Sequence, residues 1–201
     1  MKTINNLMKK LFTIIILSFF YITLSHSEDI KDFQIEEISI GDSALDYFTI
    51  NELNDSLDIS DYLDVYRYYF FPYPQGKEYD YLQITVKQKD KQFIIYGIQG
   101  HIFYNNNIKE CYKKIKQIKK NIDSVLNHEG IETSGTHWLD SSGQSKTTRI
   151  FYRLDGGYAE IVCFDMSKKM EDQGKYDRFA ITLSHKEFKD WLGENFSKMK
   201  K

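Results

Sequence analysis

Two pairs of short alternating segments joined by tight polar turns constrain the fold of this chain most strongly. The segments 147–154 (TTRIFYRL) and 158–165 (YAEIVCFD) flank the residues DGG at 155–157, which favour a β-hairpin turn. The segments 79–88 and 91–104 form a second pair of this kind. Because a hairpin places its two strands in antiparallel orientation, the chain is predicted to build a mainly antiparallel sheet.

Helices are predicted on either side of these hairpins. In the segment 108–127 apolar side chains recur at helical spacing on one face, while lysines and acids fill the other. Two capping boxes, Thr49 with Glu52 and Ser184 with Glu187, predict a short helix and a C-terminal helix. The other predicted elements are a short helix at 43–48 and strands at 33–40, 66–74 and 178–183. The order β-α-α-β-β-β-α-β-β-β-α predicts a two-layer α+β domain with its helices packed on one face of the sheet.

The first 27 residues have the pattern of a secretory signal peptide. Three lysines and no acid precede the apolar run 11–24, and Ser25 and Ser27 provide the small residues before a cut at Glu28. An uncleaved anchor helix would need about 20 apolar residues, and this run is shorter. No cysteine lies near the cut to carry a lipid. The chain is therefore predicted to be exported, either periplasmic or secreted, with no stable membrane anchor after signal cleavage.

Residues 28–201 are expected to form a single α+β domain. Without the three signal-peptide lysines, 24 basic and 29 acidic side chains remain, which gives this part a formal charge of −5. A general nucleic-acid binder would carry a basic excess, so a nucleic-acid partner is not expected.

Cys111 and Cys163 are the only cysteines of the chain, and export would place them in an oxidising compartment. They either form a disulfide that closes a long loop or lie as two free thiols in the core. The sequence alone leaves both alternatives open, since it does not give the distance between them.

Gly41-Asp42-Ser43 follows a strand-like run and precedes a helix-like one. These three residues resemble the nucleophile block of the GDSL (SGNH) hydrolases, and that resemblance would make Ser43 a catalytic serine. The family also uses a Gly-x-Asn-Asp block and a late Asp-x-x-His. The sequence contains no Gly-x-Asn-Asp block. It also lacks the Asp-x-x-His, because Thr182 and not Asp stands three residues before His185. The simpler interpretation is that Asp42 or Ser43 caps a helix.

A serine hydrolase centred on Ser43 remains the alternative function. It would need a base to accept the serine proton, and His101, His137 and His185 are the candidates for that base. The expected hairpins also differ from the parallel, helix-interleaved sheet that the hydrolase family uses. The chain is therefore expected not to be an enzyme.

The segment 41–48 (GDSALDYF) and the late Trp191-Leu192 resemble small exported bacterial proteins of unknown function with a GDSLLDYF-like start. More weakly, the order of elements resembles BamE/SmpA-like and β-lactamase-inhibitor-like domains. Those domains are binding modules, so this second resemblance implies binding and not catalysis. Most BamE-like proteins are lipoproteins, and the lipid-bearing cysteine is missing here.

The binding residues that we predict are Tyr66, Tyr68, Tyr69 and Tyr73, which lie in an aromatic-rich stretch. Tyrosine is favoured at interfaces because it joins an apolar ring to a polar tip. Strand alternation would place Tyr66 and Tyr68 on one face and Tyr69 on the other, and the alternative is that these rings simply fill a core. The function predicted is an exported binding or envelope-associated interaction module, with an envelope protein or a glycan as partner.

Polar residues that could bind a metal gather after the long helix, in the stretch HEGIETSGTHWLD: His128, Glu129, Glu132, His137 and Asp140. Their spacing matches no zinc motif such as His-Glu-x-x-His. No metal or other cofactor is therefore expected, and residues 129–146 are predicted to form a loop.

Overall fold

The fold is taken from a computed structural model, which describes residues 28–58, 65–73, 78–104 and 107–199. The predicted signal peptide lies outside the described residues. The strands are β1 Gln34–Ile35, β2 Ile38–Ser39, β3 Leu57–Asp58, β4 Tyr66–Pro72, β5 Tyr81–Lys87, β6 Ile95–Phe103, β7 Ile131–Thr136, β8 Lys146–Leu154, β9 Gly157–Asp165 and β10 Arg178–His185. The helices are α1 Ile50–Asp55, α2 Ile108–Asp123, α3 Lys168–Glu171 and α4 Lys186–Met199, with 3-10 turns at Ile30–Asp32 and Ala44–Asp46.

Eight of the strands form one sheet in the order β3-β4-β5-β6-β10-β9-β8-β7, and every neighbouring pair is antiparallel. The predicted α+β fold with a mainly antiparallel sheet is therefore confirmed. Strands β3 to β6 form one meander and β7 to β10 a second. The two meanders join through their last strands, since β6 pairs with β10. Strands β1 and β2 form a separate hairpin.

Helix α2 packs on one face of the sheet, chiefly against β9 and β10. Its apolar stripe includes Cys111, Ile115 and Ile122, which are all buried. Cys111 is bonded to Cys163 on β9, with 5.8 Å between the two Cα atoms, so of the two alternatives left by the sequence the structure has the disulfide. We call this face of the sheet the covered face and the opposite one the open face.

Helix α4 lies on the open face, where it covers only one part of the sheet. Phe188 packs edge-on against Tyr66, with ring centroids 4.9 Å apart, and approaches Gly97 closely. Helix α2 and the sheet thus form the two-layer core, and the prediction that the helices pack on one face is wrong for α4, which lies on the other side. Its predicted capping box is wrong, because Ser184 belongs to β10 and the helix begins only at Lys186. Glu187 pairs with Lys87 at 2.8 Å instead.

Two other local predictions are corrected. The predicted strand 33–40 is the β1–β2 hairpin, and its turn residues Glu36 and Glu37 have φ angles of 52° and 71°. The Glu36 carboxylate accepts hydrogen bonds from the backbone N–H groups of residues 78 and 79, which holds this unusual turn in place. The predicted loop 129–146 contains strand β7, which pairs along β8. By contrast, the capping box of Thr49 and Glu52 is confirmed at the start of α1.

Among the described residues, no helix has the length and apolar character that crossing a membrane requires.

Candidate functional site

Ser43 is the N-cap of the 3-10 turn that follows it. Its Oγ accepts a hydrogen bond from Leu45 N at 3.2 Å and donates one to the carbonyl of Gln92 at 2.7 Å. None of the histidines that the structure describes is hydrogen-bonded to it. Asp42 accepts from Ser39 N and from the Tyr47 hydroxyl, which raises the pKa of Tyr47 to about 12. Both polar residues of the motif therefore hold the chain as it leaves β2.

The four predicted binding tyrosines lie in different environments. Tyr66 and Tyr69 are each only 1% exposed, on the open and the covered face respectively, so neither ring is accessible. Tyr68 is half-buried on the open face, and Tyr73 is half-buried beside Phe48. The alternation expected along this strand is present. Whether Tyr68 or Tyr73 contacts a ligand stays a prediction.

The polar residues after α2 are separated by β7. His128 lies near Tyr152 before that strand, and His137 packs on Phe164 after it. Asp140 accepts four hydrogen bonds from the backbone and side chains of Ser142 and Ser145, which closes its own loop. In the described ranges no group of three or more His, Cys, Asp or Glu side chains is placed to hold a metal ion.

A groove crosses the open face beside α4. Strands β5, β6, β10 and β9 each contribute one polar side chain to its floor, and the strand register sets the four side by side. We call this set the polar row: Gln83, Gln99, Thr182 and Glu160. A cavity of about 130 Å³ lies over the row. The other residues lining the cavity are Tyr68, Thr85, Gly97, Ile98, Ser184, Phe188, Lys189 and Leu192.

An aromatic side chain stands at each end of the polar row. Phe70 on β4 is paired with Gln83, and Phe151 on β8 is paired with Glu160. Phe70 is 36% exposed and lies almost parallel to Tyr81, with 5.1 Å between the ring centroids. The floor of the groove is thus polar, and an aromatic side chain flanks the row at each end.

Hydrogen bonds within the row leave part of its polar capacity unused. Gln99 donates to the Thr182 hydroxyl. Glu160 pairs with Arg149 at 2.9 Å and lies 4.0 Å from Lys189, so its charge is balanced. The Gln83 amide makes no hydrogen bond to another described residue. The amide and hydroxyl groups of the row are therefore available to an uncharged ligand, to which they can both donate and accept hydrogen bonds.

His101 lies next to the polar row, on β6, where it is paired with Tyr81. It is only 6% exposed, and neither ring nitrogen has a hydrogen-bond partner among the described residues. Burial, together with the nearby positive charge of Arg178, lowers the pKa of His101 to about 3. The imidazole is therefore neutral, with one donor and one acceptor unused. Such an unsatisfied group is rare inside native proteins.

The sequence did not point to these residues as a site. Gln83, Gln99 and Thr182 occupy the polar positions of alternating strands, which ordinarily mark a solvated face. They become a row only when β10 inserts between β6 and β9, and no local signal predicts that pairing. The one sign in the sequence was that Gln83 on β5 and Gln99 on β6 are amides and not charged residues, although β5 also carries Lys87.

Comparison of the chain with models of known protein families, with curated proteins and with solved structures finds no match.

Proposed function

We propose that this protein is an exported, non-enzymatic binding module that takes an uncharged, hydroxyl-rich ligand, a short segment of a glycan, in the groove of the open face. The observation that carries the proposal is the polar row, which forms the floor of a cavity and ends in an aromatic side chain on each side. Neighbouring strands lie about 4.8 Å apart, so the row spans about 14 Å from β5 to β9. That length suits an oligosaccharide lying across the strands.

Polar and aromatic residues of the groove are suited to different parts of a sugar. The amides of Gln83 and Gln99 and the Thr182 hydroxyl are suited to sugar hydroxyl groups, which both donate and accept hydrogen bonds. The exposed ring of Phe70 is suited to packing on the apolar face of a sugar ring. The partner that we propose is thus a glycan, and a protein surface would need a larger exposed apolar patch than this groove offers.

Export is part of the proposal. The Cys111–Cys163 disulfide supports it, because such bonds persist in oxidising compartments and are rare in the cytosol. The signal-peptide pattern of the first 27 residues points to the same route, and the destination would be the periplasm or the medium. Fractionation of cells that produce the full chain tests this step, and a cytosolic chain with reduced cysteines would contradict it.

Binding in the groove is tested by NMR titration of the isotopically labelled protein with neutral oligosaccharides of hexoses and N-acetylhexosamines. We expect the side-chain amide signals of Gln83 and Gln99 to shift in a saturable way. Replacing Phe70 by Ala should weaken binding about tenfold or more, because a buried aromatic contact contributes about 1–3 kcal/mol. The matched control is Thr133→Ala on the exposed edge strand β7. The proposal fails if no oligosaccharide shifts these amides.

The same preparation also tests the hydrolase alternative. Because Ser43 Oγ is hydrogen-bonded to Leu45 N and to the Gln92 carbonyl, a fluorophosphonate probe should leave Ser43 unlabelled. The substitution Ser43→Ala should leave oligosaccharide binding unchanged. Labelling of Ser43 would overturn the assignment as a binding module.

A further inference from the structure

Arg178 carries a positive charge that no acid in the described part of the chain balances. Its guanidinium carbon lies 4.1 Å from the centre of the Phe164 ring, and its Nη1 donates a long hydrogen bond of 3.5 Å to the carbonyl of Tyr176. It forms no ion pair to an Asp or Glu among the residues that the structure describes. Burial alone lowers the pKa of Arg178. Charged side chains that are partly removed from water are ordinarily paired, so this arginine calls for a counter-charge.

Two neutral histidines share the open face with Arg178. On β10 the arginine is paired with Phe103, and the next residue on the same face, Ala180, is paired with His101. The positive charge of Arg178 contributes to lowering the pKa of both His101 and His137. His137 Nδ1 accepts a hydrogen bond from Leu139 N at 3.3 Å, which leaves Nε2–H as a donor.

Acids beside this group already accept hydrogen bonds from other residues, and one of them is Asp80, which accepts from Phe103 N at 2.9 Å. Asp140 accepts hydrogen bonds from Ser142 and Ser145. Asp177, although it precedes Arg178 in the sequence, accepts from Met166 N at 2.7 Å, and burial raises its pKa. The charges of Lys175 and Arg149 also lower the pKa of His137, whereas the charge of Asp140 raises it. Three positive charges, those of Arg178, Lys175 and Arg149, therefore act on His137 against the one negative charge of Asp140.

We propose that Arg178, His101 and His137, with the rings of Phe103 and Phe164, form an anion site that binds a carboxylate or phosphate group of a ligand. The planar guanidinium can form two parallel hydrogen bonds to either group, and the neutral imidazoles can add N–H donors. Phe70, which meets His101 edge-on at 5.5 Å and is 36% exposed, has to turn aside for an anion to reach that imidazole. This anion site contains no residue of the polar row, and the only residue that it shares with the proposed glycan site is Phe70, so substitution of Arg178 tests it separately from glycan binding.

The test is an NMR titration of the full chain, with its disulfide formed, with inorganic phosphate and separately with acetate. Ionic strength is held constant, so that general screening does not change. At about pH 7.5 histidines are ordinarily neutral. We expect saturable shifts of the Arg178 Nε–H signal and of at least one of the two imidazoles. A response to phosphate alone identifies a phosphorylated ligand, and a comparable response to acetate identifies a carboxylate. Absence of a saturable shift with both anions overturns the proposal.

Variants separate a specific site from diffuse attraction. Arg178→Gln should weaken binding of the anion about tenfold to a hundredfold, as the loss of a charged hydrogen bond does. Arg178→Lys keeps the charge but loses the planar fork, so it should bind with intermediate affinity and guards against misfolding of the glutamine variant. Arg153→Gln removes the same charge from an exposed position on β8 and should have no effect. Equal losses from Arg153→Gln and Arg178→Gln would overturn the proposal. Titration of the same samples with oligosaccharides reports separately on the groove.

Discussion

The two faces of the sheet are built by the same strands and yet differ in almost every property. On β5, Leu82 and Ile84 are buried on the covered face, whereas Gln83 lies half-buried on the open face. On β10, Phe179 and Thr182 divide in the same way. The covered face is an apolar core closed by α2 and a disulfide, and the open face keeps polar side chains that α4 only partly shields. We therefore expect stability to depend mainly on the covered face, and it is the open face for which we propose binding.

The largest difference in unfolding free energy should appear between two truncations on the same strand, one on the covered face and one on the open face. Phe179→Ala removes a fully buried ring beside Cys163 and should lower the free energy of unfolding by about 3–5 kcal/mol. Thr182→Ala, on the same strand but in the groove, should cost less than about 1 kcal/mol. Urea unfolding of both variants measures this. Similar losses from the two substitutions would remove the distinction between the faces.

The disulfide ties α2 to the covered face, and its removal should have the next largest effect. The double substitution of Cys111 and Cys163 by Ala should cost about 2–4 kcal/mol, because the bond closes a loop with a sequence separation of 52. Reduction of the natural protein should cause the same loss, whereas the double variant should not respond to reductant. An unchanged midpoint in urea after reduction would show that packing alone holds the helix.

A buried hydroxyl group on the covered face provides a smaller test. The Tyr152 hydroxyl donates to Asp123 Oδ1 at 2.9 Å, and this hydrogen bond raises the pKa of Tyr152 further than burial alone does. Tyr152→Phe should lower the free energy of unfolding by about 1–2 kcal/mol, since the acceptor is charged. The control is Tyr158→Phe, a half-buried tyrosine on the open face, for which a change below about 0.5 kcal/mol is expected. Urea unfolding distinguishes the two variants. An equal loss of unfolding free energy would show that the hydrogen bond from Tyr152 to Asp123 does not stabilise the fold.

The smallest effect concerns the loop that carries His137, and it should be confined to acid pH. Hydrogen bonds from Ser142 and Ser145 hold the pKa of Asp140 well below its ordinary range. A carboxylate with a lowered pKa stabilises the fold fully above its ordinary pKa of about 4, and that contribution is lost as the pH falls toward the lower folded value. The difference in unfolding free energy between the natural protein and Asp140→Asn should therefore be constant near neutral pH and shrink below about pH 4. A difference that does not change with pH would contradict this.

The sequence predicted those parts of the fold that depend on local signals. Each of these signals depends only on residues close together in the sequence. They are the DGG turn, the alternation in β5 and β6, the apolar stripe of α2 and the capping box of Thr49 and Glu52. Strand β7 was not predicted, because all six of its residues are exposed and its sequence therefore shows no alternation of apolar and polar side chains. It is a strand because the edge of β8 offers it hydrogen-bond partners.

The candidate sites could not be predicted for a related reason. The polar row and the Arg178 group are created by pairings between strands far apart in the sequence, and none of their residues carries a motif. The aromatic stretch gave a partial signal. It indicated strand β4, which also carries Phe70 of the proposed groove, but Tyr66 and Tyr69 are buried in packing, and the exposed ring on that strand is Phe70.

The pairing of β6 with β10 has a consequence for how the chain reaches this fold. Synthesis proceeds from the N-terminus, so β3 to β6 are complete before Arg178–His185 has been made. During that interval the backbone of β6 presents a long unpaired edge to other chains, which is a template for aggregation. A chain that stops before β10 would keep that edge permanently. We therefore expect premature truncation to produce insoluble protein and not a stable half-domain.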